Sequence, residues 1–222
     1  LRALARLGDA SCVGLLVGII AKRAQSEADT AFATLTILPG EEVDKAVIAA
    51  LAKAPAPARP RLVRVVLARR PKGAVGILLK YVDDPDPAVA KEAFAAVGKL
   101  ATADDLPALV ERMLRAKDPG ALRSAERAVV TVARNVSDAG RRTEALMAGY
   151  LKATGGAKAS LLRSLGRFGG PKALEAARAA LKSSDPALRD AALRALADWP
   201  DPSPADDLFR IAKTASSPVQ RV

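Results

Sequence analysis

One helical phrase returns six times along this chain: an apolar residue, another three positions later, and a small or apolar residue directly after it. The triplets are Phe32/Leu35/Thr36, Val63/Val66/Leu67, Phe94/Val97/Gly98, Val129/Val132/Ala133, Leu162/Leu165/Gly166 and Leu193/Leu196/Ala197. Their leading residues lie 31, 31, 35, 33 and 31 positions apart. A fixed period in that range means stacked supersecondary units, none of which can bury its apolar face alone. Such an array is a surface for binding or spacing, and the pattern does not name what is bound.

Composition agrees with helices. Half of the 222 residues are hydrophobic but only 3% are aromatic, so the apolar volume comes mostly from Ala, Leu and Val. Ala and Leu are strong helix formers, and the alternating Thr, Tyr and Ile runs of a β-sandwich are absent. The fold class is read as all-α. A single cysteine, Cys12, excludes an internal disulfide and reads as a small core residue. The chain has no histidine, which removes imidazole general-base catalysis, imidazole metal ligation and a switch near neutral pH.

Between the phrases lie second apolar stretches, giving two helices per unit. First helices are expected near 10–23, 41–53, 72–82, 104–116, 142–153, 171–183 and 204–214. Second helices are expected near 27–38, 59–70, 87–101, 119–136, 157–168 and 187–198. Asp86-Pro87, Asp118-Pro119, Asp185-Pro186, Ser203-Pro204 and Ser217-Pro218 each place a capping oxygen before a proline at a helix start.

The apolar run Ala10 to Ala21 is too short to cross a bilayer, so no membrane insertion is expected. Arg2 and Arg6 before it imitate a signal peptide, but Leu4/Leu7/Gly8 already matches the repeat phrase. Ser217-Pro218-Val219 repeats Asp185-Pro186-Ala187 and then stops. The expectation is one array over 1–222, cut inside a repeat at both ends. Its boundaries fall near 1–8 (partial), 9–38, 39–70, 71–102, 103–138, 139–169, 170–200 and 201–222 (partial).

Paired helices at this period resemble HEAT repeats, above all the short, Ala-rich bacterial form. The stretch Asp185 to Leu196, Asp-Pro-Ala-Leu-Arg-Asp-Ala-Ala-Leu-Arg-Ala-Leu, is similar to that family's commonest phrase. The resemblance implies a right-handed α-solenoid of about six two-helix repeats. Ala191 to Val222, with its Trp199-Pro200 corner, resembles HEAT arrays in large multidomain proteins of environmental bacteria that carry a sugar-active, concanavalin-like domain. That likeness implies a place outside the cytoplasm beside other domains, and no catalytic position.

Candidate chemistry is sparse. The pairs Glu41/Glu42, Asp104/Asp105 and Asp206/Asp207 fall in first turns, where carboxylates answer the helix dipole, and Asp83/Asp84 falls in a turn. Neighbouring helical side chains diverge by about 100°, so none of these pairs converges on a shared proton or metal. Gly166-Arg167-Phe168-Gly169-Gly170 and Thr154-Gly155-Gly156 lack the strand and the Lys-Ser/Thr of a phosphate loop and read as turns. Trp199 reads as a packing residue at a repeat corner. The chain is therefore expected not to be an enzyme and to need no cofactor or metal.

Charge is the signal that remains. The net charge is +11, which favours acidic partners. Taking each phrase's leading residue as position zero, the core occupies −1, 0, +3 and +4 and the opposite face −2, +1 and +5. That face carries Arg61, Arg64, Lys99, Arg127, Arg134, Arg163, Arg167 and Arg194, eight cations among 18 positions, against 35 in the whole chain. In HEAT arrays the second helices line the concave side, so these eight are expected to form a basic groove. The alternative is that Arg merely covers apolar surface with its stem. The reading is a non-catalytic scaffold offering this groove to a protein partner, an adjacent domain or an anionic polymer. Nucleic-acid binding, as in HEAT-like DNA glycosylases, is the other reading. It wants aromatics in the groove, and no Trp or Tyr occupies these positions.

Overall fold

A computed structural model of the chain describes residues 8–22, 24–116 and 118–214. The expectations placed on Arg2, Leu4, Arg6, Leu7 and Ser217-Pro218-Val219 lie outside the described residues. Thirteen α-helices and three short 3₁₀ turns make up the described chain, with no strand among the described residues. It is an all-α solenoid fold, and it divides into two compact units at Ala101/Thr102.

In unit one, α1 (Val13–Lys22), α3 (Glu41–Lys53) and α5 (Ala74–Leu78) are first helices. Their partners are α2 (Gln25–Ile37), α4 (Arg59–Arg69) and α6 (Pro87–Leu100). In unit two, α7 (Leu106–Arg115), α9 (Ala139–Lys152), α11 (Pro171–Leu181) and α13 (Ala205–Thr214) are first helices. The second helices are α8 (Pro119–Arg134), α10 (Gly155–Gly166) and α12 (Pro186–Ala197). Each second helix packs on its own first helix, and within each unit successive second helices pack on one another: α2 on α4, α4 on α6, α8 on α10, α10 on α12.

The helix starts follow the capping chemistry. Asp86, Asp118 and Asp185 precede Pro87, Pro119 and Pro186, and their carboxylates accept from the N–H of Ala88 (2.9 Å), Ala121 (2.7 Å) and Ala187 (2.9 Å). Asp138 caps α9 in the same way from Gly140 and Arg141. Ser203 departs from expectation. Its hydroxyl and its N–H both donate to Asp201, and α13 begins only at Ala205.

The first helix expected over 72–82 is the other departure. Only Ala74–Leu78 is α-helical, after Gly73 at φ +73°. Beyond it Lys80, Tyr81 and Asp84 donate to carbonyls three residues back, so the chain tightens into successive 3₁₀-type turns.

The phrase residues supply the core. Leu35, Val63, Val66, Phe94, Val97, Val129, Val132, Leu162, Leu165 and Leu196 are all buried, each Leu contributing about 1.5–3 kcal/mol. At position +4, Gly98, Ala133 and Gly166 are buried as expected. A Cβ on Gly166 would lie 2.6 Å from Ala195 Cα, so α10 and α12 touch backbone to backbone there. Ala197 is exposed, against expectation, because it ends α12 and no later second helix follows among the described residues. Cys12 is half-buried in a 3₁₀ turn and not in the core.

Buried ions lock helix to helix. The Arg69 guanidinium, almost wholly buried at the end of α4, donates to Asp44 in the first turn of α3 (2.6 Å). It also donates to the Leu35 (2.7 Å) and Leu38 carbonyls at the end of α2, satisfying groups that a helix terminus leaves open. Asp207 of α13 is 3% exposed and accepts from Arg178 Nε of α11 (2.9 Å), with Arg178 Nη2 in ion-pair contact at 2.8 Å, and from Arg210.

Candidate functional site

Three successive second helices of unit two, α8, α10 and α12, line an open groove of about 760 Å³. Its polar wall carries Arg123, Arg127, Arg134, Arg163, Arg167 and Arg194 against two carboxylates, Glu126 and Asp190. Pro119, Leu122 and Ala187 supply accessible apolar surface, above the buried Val130 and Ala159. The periodicity explains the arrangement. Positions facing away from the core recur on each second helix, and parallel stacking brings the recurrences side by side.

Five of the eight sequence candidates, Arg127, Arg134, Arg163, Arg167 and Arg194, therefore share this groove. The other three, Arg61, Arg64 and Lys99, lie in unit one on α4 and α6. Arg123 was not among the candidates. It stands one helical turn before Arg127 on the same face, so extending the register by four residues would have found it.

Ion pairing divides the candidates. Glu126 of α8 holds Arg163 of α10 by two bonds, at Nε (3.2 Å) and Nη2 (2.6 Å), and Ser160 accepts a third at 2.8 Å. Asp190 holds Arg194 one turn along α12 at 3.0 Å. Arg123, Arg127, Arg134 and Arg167 are exposed and make no ion pair among the described residues. Arg134 ends α8 and Arg167 caps α10, so both also face the negative ends of helix dipoles.

In unit one two of the three candidates are ion-paired, and Lys99 is exposed on α6 near Glu92. Arg61 pairs with Asp29 of α2 at 3.3 Å, and Arg64 with Glu92 of α6 at 2.5 Å. The Arg64 hydrogen bond holds the Glu92 carboxyl below its usual range and raises the Arg64 guanidinium above its own. The surplus of cations in a groove belongs to unit two.

Three outward positions of the register are covered. Val130, Ser160 and Ala191 are buried, because successive second helices, α8 on α10 and α10 on α12, pack against one another and hide flanking positions that an isolated helix would expose. The acidic pairs serve in ion pairs and helix caps. Glu42 binds Lys45, Asp104 binds Arg141, Asp105 completes a capping box with Thr102, and Asp84 accepts from Arg59 and from the Asp86 N–H. No group of three metal-ligating side chains occurs among the described residues. Gly155, Gly169 and Gly170 have positive φ, as their turns require. Trp199 packs beside Gly169, its indole Nε1 buried without an acceptor among the described residues. No helix among the described residues is long and apolar enough to cross a membrane.

Comparison with curated proteins gives no match. Among solved structures, human deoxyhypusine hydroxylase in complex with glycerol is similar at 20% identity and a TM-score of 0.45, over 99% of this chain and 95% of that one. The complex of CpcE and CpcF of phycocyanin lyase from Nostoc sp. PCC7120 is similar at 18% identity and a TM-score of 0.37, over 99% of this chain and 82% of that one. These likenesses are of fold alone. They correct the expectation that the chain is not an enzyme, since a hydroxylase and a lyase complex stand among the proteins it is similar to. An empty motif inventory on helical repeats does not decide catalysis. The family model for HEAT repeats matches residues 41–129 and 143–222, well over half of the sequence. With the paired helices and their period, that places this helical-repeat scaffold in the HEAT-repeat family.

Proposed function

We propose that the chain is a binding scaffold whose unit-two groove receives an anionic partner, either a protein segment or an anionic polymer. The observation that carries this reading is the meeting of six arginines from three successive second helices, with only two carboxylates among them. Clustered like charge in a concave site concentrates field and draws oppositely charged ligands. HEAT repeats commonly mediate protein interaction, which supports a protein as the partner.

The test is salt dependence. Affinity for labelled polyglutamate should fall as salt rises, because each guanidinium–anion contact is screened. Arg134→Ala/Arg167→Ala removes two cations that hold no ion pair, so the fold is spared and the slope of log affinity against log salt should shrink. A slope unchanged by that double substitution would refute the groove as the binding surface. Binding indifferent to salt in the native chain would refute an anionic partner.

A further inference from the structure

The wall of the groove is not uniformly positive. Arg163 and Arg194 are paired with Glu126 and Asp190, which leaves Arg123, Arg127, Arg134 and Arg167 without an ion pair among the described residues. Leu122 and Ala187 set accessible apolar surface beside them. A nucleic-acid strand presents an evenly spaced, unbroken row of phosphates, whereas the unpaired cations of α8 recur at uneven steps of four and seven residues. Its bases would find no stacking platform, since none of the lining residues is aromatic.

From this pattern we infer that the groove takes an acidic peptide segment in extended form, with small apolar side chains between its carboxylates. The inference rests on the groove reading above and names the occupant. A guanidinium presents a planar fork that matches a carboxylate with two parallel hydrogen bonds. Arg123, Arg127 and Arg134 sit at i, i+4 and i+11 on α8. At 1.5 Å per residue the first two are about 6 Å apart and the whole ladder about 16 Å long. Same-side residues of an extended chain are about 6.6 Å apart, so about five residues in all, about three of them on the groove side, cover that length. The groove volume lies in the range of small-ligand pockets, which several extended residues fill and a helix 10–12 Å across overfills.

Fluorescence anisotropy on the 222-residue chain tests this with two probes at matched salt. One is a labelled decapeptide of alternating glutamate and alanine, and the other a labelled ten-nucleotide oligothymidylate. The peptide should bind more tightly, and Arg127→Ala/Arg134→Ala should weaken it about tenfold while the circular-dichroism melt is unchanged. If the oligonucleotide binds more tightly and loses affinity with the same substitutions, the acidic-peptide inference falls and the groove reading stands. If neither probe binds, or both bind indifferently to the substitutions, the groove reading falls and takes the inference with it.

Discussion

Replacing Gly166 with alanine adds one carbon where α10 meets α12. That carbon would lie 2.6 Å from both Cα and O of Ala195 and 2.7 Å from its Cβ. Two of these atoms are backbone, so no rotamer change relieves the clash. Restoring an ordinary 3.4 Å contact from 2.6 Å moves the helices apart by about 0.8 Å. A gap of that size forfeits roughly a quarter to a half of the dispersion energy of facing atoms. Overpacking of this kind costs about 1–3 kcal/mol, against less than about 1 kcal/mol recovered in helix propensity at the last helical residue. The expected net loss is about 1–2 kcal/mol for alanine and more for leucine. Gly156→Ala is the matched control, since its new carbon meets only the end of the Leu122 side chain at 3.1 Å. Urea denaturation followed by circular dichroism reads both. Gly166→Ala as stable as the native chain would show that the α10–α12 approach is not a tight contact, and the register argument would fail with it.

Arg69→Ala should cost about 2–4 kcal/mol, because Asp44 and the Leu35 and Leu38 carbonyls lose a shared donor. Arg69→Lys should recover less than half of this in the same urea titration, since an ammonium lacks the fork. Asp207→Ala should lower stability by about 1–3 kcal/mol, and an unchanged melting temperature would mean that Arg178 does not tie α11 to α13. Glu92 has a lowered carboxyl pKa, so its contribution is complete above the ordinary value of 4.5 and is lost as pH falls through the lowered one. The stability gap between the native chain and Glu92→Gln should thus be present at pH 7, small because Arg64 is half-exposed, and should close in acid. A gap constant with pH would contradict the pairing.

Helix pairing could be read from residue order because both of its causes are local. The 3.6-residue apolar rhythm and the Asp-Pro starts act within a few residues, and α3 runs over the expected 41–53. The short α5 was not readable, since Gly73 and Gly76 still allow an apolar rhythm while weakening the helix. The groove was half readable. Periodicity assigned Arg127, Arg134, Arg163, Arg167 and Arg194 to one face, but Glu126 opposite Arg163 is 37 residues away and only packing brings it near. Arg69 was unreadable for the same reason, since Asp44, Leu35 and Leu38 stand 25, 34 and 31 positions away. An arginine in a last turn looks solvated until α2 and α3 close over it.

The ion pairs that join one repeat to another have a further consequence for how the chain comes into being. Arg59–Asp84, Arg64–Glu92, Arg178–Asp207 and Arg163–Glu126 connect residues 25, 28, 29 and 37 positions apart. Each partner thus arrives one repeat after the other. At about 5–20 residues per second of synthesis, a new repeat follows within a few seconds. Helices wind in microseconds or less, so winding never limits assembly, and each is stabilised as soon as its neighbour emerges to pack on it. Contacts this short in sequence need little loop closure. The array can thus assemble in the order in which it is translated, and only the newest helix has its apolar stripe bare.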